Sequence, residues 1–499
     1  MRMKYDVIII GGGMGGLTAG ALLVRRGLRV LLLEQAEGTG GYVVSFKRGG
    51  FTFDATGAFV GGCEEGGEFH KILVQAGALE YLRFLRVEIA RNIYPDFSLD
   101  LQLRGGFEEY IRGVRELFPE EQGGLRGYVA LIHKLGEEIG RFEGITWRQM
   151  ILFPFYFRHL IRYEKRSLGS ILDRYFQGEG IKRVLSTLPA HLPPSRLSFL
   201  FTAILINKVL ASGVWYPQGG MGAVSQALEA AFVQGGGEVR LKTEVQRIEV
   251  VGGSVQGVVT RDGDFFQAPR VVAAVNIRRA LSDLLPEDYR ERFSGMVHFL
   301  EYSLSSFLVY LGVKMDVVRL SLPYFTYISP RDAQLEYKQL SQGVMMPDDP
   351  TVIVTIPTLL DPSLAPPGHH IVRIMTPAAY GLCNGKGWHD PSRYRIIKEE
   401  VTQRLIRLVE GRYIPSLSRH CTFIEAATPL TLERYTANEG GATYGLAPTP
   451  RQIGRGRPAN KTPLKGLYLA GHYTRPAHGI VGAALSGRFA ADMISKEQR

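Results

Sequence analysis

Residues 5–35 read YDVIIIGGGMGGLTAGALLVRRGLRVLLLEQ. Val7-Ile8-Ile9-Ile10 is a short apolar run rich in β-branched residues, which predicts a strand. Gly11, Gly13 and Gly16 then fit G-x-G-x-x-G, a helical run extends from Leu17 to Arg26, and Gly27 closes it. Val30-Leu31-Leu32-Leu33 makes a second strand that ends in Glu34. Strand, glycines, helix, strand and acid fall in the order of a βαβ dinucleotide fingerprint of ~30 residues, with the acid ~20 residues past the glycines. Each residue type has a physical task. Gly11 permits the tight turn, Gly13 lets the backbone approach a pyrophosphate, and Gly16 lets the helix pack close to the strands. The free N–H groups of the helix N-terminus suit phosphate, and Glu34 can accept from ribose hydroxyls. Val7 to Val24 carries no charge, as in a signal peptide or membrane span, but six glycines within it and a strand directly behind argue against both.

At 499 residues the chain can hold two or three domains with substantial cores. Its 45% hydrophobic and 21% charged content is that of a globular protein. Cys63, Cys383 and Cys421 are widely spaced, which excludes a disulfide scaffold and a zinc finger and is compatible with a reducing cytoplasm. His369-His370 is the only histidine pair, and adjacent strand residues point to opposite faces, so no metal site is expected. The net charge of +11 suits nucleic acid, an anionic membrane or cofactor phosphates. No recognition helix or basic tail is present, which disfavours nucleic acid, and no apolar run of about 20 residues lies outside the glycine-rich start.

Past the fingerprint, Gly38-Thr39-Gly40-Gly41-Tyr42 predicts a second loop beside the cofactor, and Phe51 to Gly57 a short strand ending in glycine. Helical spacing with charged faces runs from Glu64 to about Ser212, including Glu108 to Phe118 and Leu125 to Phe142. Within it, Phe142 to Tyr163 interleaves aromatics with Arg148, Arg158 and Arg162, and Lys165 and Arg166 follow. That composition suits a helix in a membrane interface, or a core helix with snorkelling arginines, and Pro154 breaks or kinks it. Tyr216-Pro217-Gln218-Gly219-Gly220-Met221-Gly222 precedes a helix from Ala223 to Gln234. A β-meander follows from Glu238 to Ala274, punctuated by Gly-Gly and Asp-Gly turns. Arg278 to Ser418 is mixed, with strands near Phe307 to Val313, Thr351 to Pro357 and His370 to Thr376. Leu467 to Gly471 is a buried strand ending in glycine, followed by a loop and a small-residue helix from Ile480 to Ile494.

These segments together resemble the flavin-dependent phytoene desaturase family, and within it the carotenoid isomerase and all-trans-retinol saturase branch. The resemblance covers nearly the whole chain. Its specific pieces are the fingerprint, Tyr216 to Gly222, Thr428-Pro429-Leu430-Thr431, Gly441-Ala442-Thr443-Tyr444-Gly445 and Leu467 to Gly487. It implies an α/β fold: a discontinuous Rossmann-like FAD-binding domain of amine-oxidase-like build (1–70, 213–280 and 419–499). A mixed α+β substrate lobe (71–212 and 281–418) completes it, with 142–166 as a membrane-contact helix.

The resemblance implies FAD as cofactor. Gly11, Gly13 and Gly16 then sit at the pyrophosphate and Glu34 at the adenosine ribose, while Gly40, Gly41 and Tyr42 lie along the cofactor. Val245 contacts the adenine through its backbone. Gly471 and the turn His478-Gly479-Ile480-Val481-Gly482 lie at the flavin end. Met14, Gly15, Gln35, Thr56, Gly57 and His472 complete the expected contacts. Two positions depart from the pattern: Tyr42 stands where relatives often carry arginine, and His472 where many carry an acid. A cationic His472 could pair with the pyrophosphate, whereas a neutral one could only hydrogen-bond.

The activity implied is desaturation, saturation or flavin-assisted cis-trans isomerisation in a long apolar isoprenoid such as a carotenoid or retinoid. His478 is the first catalytic candidate, with Glu433 and Tyr444 placed by the C-terminal resemblance. No second complete fingerprint exists for a nicotinamide, so electrons are expected to pass to or from oxygen, a quinone or a redox protein. An apolar substrate favours a cytoplasmic protein with peripheral contact on the inner face of a membrane. Two rivals share the build: a flavin amine oxidase or protoporphyrinogen oxidase, and a non-catalytic prenyl-lipid carrier.

Overall fold

Val7–Ile10 and Val30–Leu33 pair in parallel at the centre of a five-stranded sheet. The computed structural model describes residues 5–104, 106–142, 153–187, 191–207, 213–381 and 387–497. Across the sheet the order is Glu238–Arg240, Val30–Leu33, Val7–Ile10, Val271–Ala273 and Leu467–Leu469, every pair parallel. Both faces are covered. Val7 and Ile9 pack among the helices, while Ile8 and Ile10 pack toward the antiparallel meander of Val245–Val251, Ser254–Thr260 and Phe265–Gln267. Alternate side chains of a strand face opposite ways, so a strand buried on both faces is continuously apolar.

The fingerprint helix Met14–Arg25 packs on the C-terminal helix Gly479–Lys496 and on Gly222–Gln234. Small residues allow the first contact: a Cβ on Gly487 would stand 2.3 Å from the Gly15 carbonyl oxygen. Leu17 and Leu23 are fully buried in this layer, each contributing about 1.5–3 kcal/mol.

The second lobe is built on a seven-stranded sheet in the order Cys421–Ala427, Ser305–Val313, His370–Ala378, Val352–Thr355, Phe325–Ile328, Ile89–Ile93, Ser98–Gln102. The pair Phe325–Ile328 with Ile89–Ile93 is parallel and the others are antiparallel. A helical layer with its own core adjoins it, including Gln122–Phe142, Arg158–Tyr163 and Phe199–Leu205.

The segment 64–212, expected to be helical, also contributes the strands Phe84–Val87, Ile89–Ile93 and Ser98–Gln102, and three further expectations change. Cys421–Ala427 falls within the segment assigned to the dinucleotide-binding domain, yet it pairs with Ser305–Val313 and belongs to the lobe sheet. The expected boundary at 70 cuts Glu68–Ala76, which packs as one helix against the fingerprint and C-terminal helices. The single helix expected over 142–166 lies partly outside the described residues, and its described part forms two short helices, Phe153–Tyr156 and Arg158–Tyr163, broken at Phe157. Proline is tolerated in a first helical turn, and Pro154 sits in the first turn of the former. Among the described residues no helix is long and apolar enough to cross a membrane.

Candidate functional site

One cavity of about 670 Å³ runs from the fingerprint, past the start of the C-terminal helix, into the space between the lobes. At its first end, Gly11 adopts φ +99°, and a Cβ there would meet the Ala274 carbonyl oxygen at 2.7 Å. A Cβ on Gly16 would lie 2.0 Å from the Gly11 carbonyl oxygen, so Gly16 packs the helix against the turn and stands behind the cavity rather than in it. Gly13, Met14 and Gly15 face the cavity. Glu34 is held by two backbone donors: Gly12 N–H to Oε2 at 2.7 Å and Ala36 N–H to Oε1 at 2.9 Å. A carboxylate accepts about four hydrogen bonds, so capacity remains for ribose hydroxyls. Gln35 and Val245 line the wall beside it, and Gly40, Gly41, Tyr42, Thr56 and Gly57 line the continuation. Tyr42, the departure from arginine, donates from its hydroxyl to the Ala442 carbonyl at 3.0 Å and so ties this loop to the C-terminal segment.

The other anchor begins at Gly471. Gly471, His472, Gly479, Ile480 and Val481 all line the cavity, and His478 caps the C-terminal helix. A row of rings crosses this point. His191 stands 5.0 Å from Tyr444, Tyr444 5.0 Å from His478, and His478 4.6 Å from Phe201, measured between ring centroids. Burial pushes His191 down to about 3, and burial together with Arg457 does the same to His472. Burial, then Arg457, His472 and His191, hold His478 well below the ordinary histidine range. The three imidazoles are therefore neutral at pH 7, and His472 can only hydrogen-bond. Nδ1 of His478 has no partner among the described residues. Tyr444 is raised above its ordinary range by burial.

Glu433 is the candidate that stands apart. It does not line the cavity, and its oxygens accept from the Tyr380 hydroxyl and from Gly440 N–H. That carboxylate holds the turn at Glu439–Gly441 in shape.

Besides His191, two residues escaped the sequence reading. Arg373, on an interior strand and 4% exposed, lines the cavity and donates to the Thr56 and Asp54 carbonyls. Asp54 accepts from Ser45 Oγ at 2.8 Å, Met221 N–H at 2.7 Å and Tyr216 Oη at 2.6 Å. Burial raises Asp54, opposed by Arg373 and these donors. The Tyr216-to-Gly222 element is thus a brace for the strand that delivers Thr56 and Gly57 to the cavity. An acid closing an alternating strand just before a glycine was the available signal for Asp54. Arg373 carries no such signal.

Past His478 the wall turns apolar: Ile139, Leu160, Leu200 and Ile204 on the helical side, Phe325, Ile353 and Met375 on the sheet side. Three carboxylates line the cavity among the described residues. Glu34 is held as above, Glu68 faces Arg488 at 2.9 Å, and Glu164 accepts from Arg455 N–H at 3.2 Å.

A glycine-rich turn and an acid-ended strand at one end of a cavity, with a helix N-terminus at the other and a second lobe over it, define a two-lobed flavoprotein. Residues 14–495 match the profile of the flavin containing amine oxidoreductases, and the chain belongs to that family. It is a FAD-dependent oxidoreductase. Among its relatives are the chloroplastic prolycopene isomerase of Arabidopsis thaliana, 28% identical over 99% of this chain and 83% of the relative, and the carotenoid 3,4-desaturase of Haloarcula japonica, 26% identical over 99% of this chain and 98% of the relative. The structure of cyclohexylamine oxidase from Brevibacterium oxydans superposes with a TM-score of 0.64 at 17% identity over 99% of each chain, a likeness of fold. The cradle fits the cofactor: a Cβ at Gly13, Gly471 or Gly479 would meet no protein atom within 4 Å, and all three glycines line the cavity.

Proposed function

We propose that this chain uses FAD to desaturate, saturate or isomerise carbon–carbon bonds of a long apolar isoprenoid. The carrying observation is the apolar chamber that opens from the flavin end of the cavity, in which every lining carboxylate already has a partner among the described residues. A polyene gains from burial there, whereas an ammonium would be desolvated without a counter-ion. The activities named for the isomerase and desaturase relatives agree with this chemistry.

In this reading Gly11 and Gly13 hold the pyrophosphate while Gly16 packs the helix behind them, Glu34 holds the ribose, and the Val245 backbone the adenine. Bound FAD supplies acceptance or return of a hydride or electron. The N–H groups of Gly479, Ile480 and Val481 sit at a helix N-terminus, where negative charge is favoured. Neutral His478, which resists protonation, can hydrogen-bond through Nδ1 to a group in the cavity, with Tyr444 beside it. The apolar walls exclude water from the reacting bond. Electrons pass to an external partner, and the substrate enters from a membrane surface that the protein touches peripherally.

The family's description favours amine oxidation as a second reading. Purified protein should show flavin absorption bands. Incubation of oxidised and of chemically reduced enzyme with a linear polyene should change its chromatographic and absorption profile, and a primary amine should leave the oxidised flavin unbleached. Bleaching by the amine with no effect on the polyene would reverse the assignment. His478→Ala is expected to retain FAD while slowing polyene turnover by ~100-fold or more; an unchanged rate removes His478 from the reaction.

A further inference from the structure

The C-terminal helix walls the cavity from Gly479 to Phe489. Most of what it shows there is small or apolar, such as Ile480, Val481, Leu485 and Phe489. Arg488 is the departure. Its Nη1 stands 2.9 Å from Oε1 of Glu68, and the two side chains are only 16% and 6% exposed. Both residues line the cavity. Taking two charges out of water is costly, and an apolar pair would fill the same space. A guanidinium carries five N–H donors, yet among the described residues Arg488 has no hydrogen-bond acceptor; its ion-pair partner there is Glu68, and its guanidinium lies 5.8 Å from the Phe489 ring. Arg488 follows His478 by ten residues, which is about 15 Å along a helix axis.

We propose that Arg488 and Glu68 receive a hydroxyl group on the apolar chain, so that the substrate is an isoprenoid alcohol whose oxygen lies about 15 Å from the reacting carbons. The inference rests on the isoprenoid reading above. A hydroxyl both accepts and donates, and it meets an Arg–Glu pair on both counts. A carboxylate would gain Arg488 but face Glu68 at close range. A hydrocarbon would leave the guanidinium's remaining donors buried without a partner, a costly arrangement. Clamping helix Glu68–Ala76 to the C-terminal helix accounts for an ion pair, but not for unmet donors in the lining of a substrate-sized space.

The test uses the FAD-loaded full chain and radiolabelled geranylgeraniol, its hydrocarbon lacking the hydroxyl, and geranylgeranoic acid, each scored by retention with the protein on gel filtration. The wild type should retain the alcohol at roughly ten- to hundred-fold lower concentration than either analogue, the span of a charge-assisted hydrogen bond. The double variant Glu68→Leu/Arg488→Leu should fold, because apolar replacement of a buried pair is often neutral, and should hold alcohol and hydrocarbon alike. If the leucine pair fails to fold, the methionine pair provides the same comparison. Equal retention of alcohol and hydrocarbon by the wild type overturns the proposal while leaving the isoprenoid reading intact. A preference that survives in the double variant also overturns it. Retention of none of the three removes both.

Discussion

Gly13 and Gly16 sit three residues apart in one turn, yet they answer to different neighbours. A Cβ on Gly16 would run into the backbone oxygen of Gly11, whereas a Cβ on Gly13 would enter the cavity without touching protein. Gly13→Ala should therefore leave the thermal stability of cofactor-free protein within about 0.5 kcal/mol of wild type while abolishing retention of FAD. Gly16→Ala should cost about 3 kcal/mol or more in the same unfolding measurement. Both glycines were legible because the spacing of the motif encodes the turn. His191 was not: its neighbour Tyr444 lies far along the chain, and its neutrality comes from burial that no local pattern announces. His191 and His472 are each held near 3, against an ordinary value of 6.5. Between those values the unfolded chain binds protons that the folded chain does not. Stability is fully present above 6.5 and drains as pH falls toward 3, by roughly 1.4 kcal/mol per pH unit for each group. Urea unfolding at pH 7 and pH 5 should show that loss, and His191→Leu should shrink it; a slope unchanged in the variant would deny His191 its buried neutral state.

At the scale of elements, the first strand–helix–strand unit and the C-terminal helix were readable because each is set by local periodicity and by glycines with one physical use. Cys421–Ala427 was misassigned because strand character does not say which sheet a strand joins; that is decided by Ser305–Val313, more than a hundred residues earlier. Arg158–Tyr163 links the basic stretch of the sequence to the cavity. Leu160 and Ile161 line the cavity, while Phe155, Tyr156 and Ile161 are 79%, 40% and 40% exposed beside exposed Arg158 and Arg162. An exposed apolar and basic rim around an apolar cavity suits an anionic lipid surface. The protein should sediment with phosphatidylserine-containing vesicles at low salt and release as salt rises. Arg158→Ala/Arg162→Ala should weaken that binding by ~10-fold or more, at about 1 kcal/mol per basic residue. Sedimentation indifferent to salt and to both substitutions would discard the contact.

At the scale of the molecule, the five-stranded sheet takes strands from both ends and the middle of the chain, with Leu467–Leu469 closing a sheet begun at Val7. The discontinuity was legible from two strand–glycine–helix units set far apart. The depth of the interlock was not, because the pairing of Phe84–Val87 with Val214–Pro217 and of Ile89–Ile93 with Phe325–Ile328 is long-range. Each proposed lobe is thus stitched from segments that leave and re-enter the other, and helix Glu68–Ala76 packs across the proposed boundary. The shared cavity draws its wall from both lobes. One hydrophobic cluster runs through both lobes, from Val7 and Ile9 to Phe325, Ile353 and Met375, and binding of FAD to the folded state stabilises both by mass action. Guanidinium unfolding of the FAD-loaded protein should show loss of helical circular dichroism, loss of tertiary signal and release of flavin fluorescence at one midpoint. Two separated midpoints, with flavin released at the first while half the helical signal persists, would mean that the lobes fold independently and that the proposed division marks true domains.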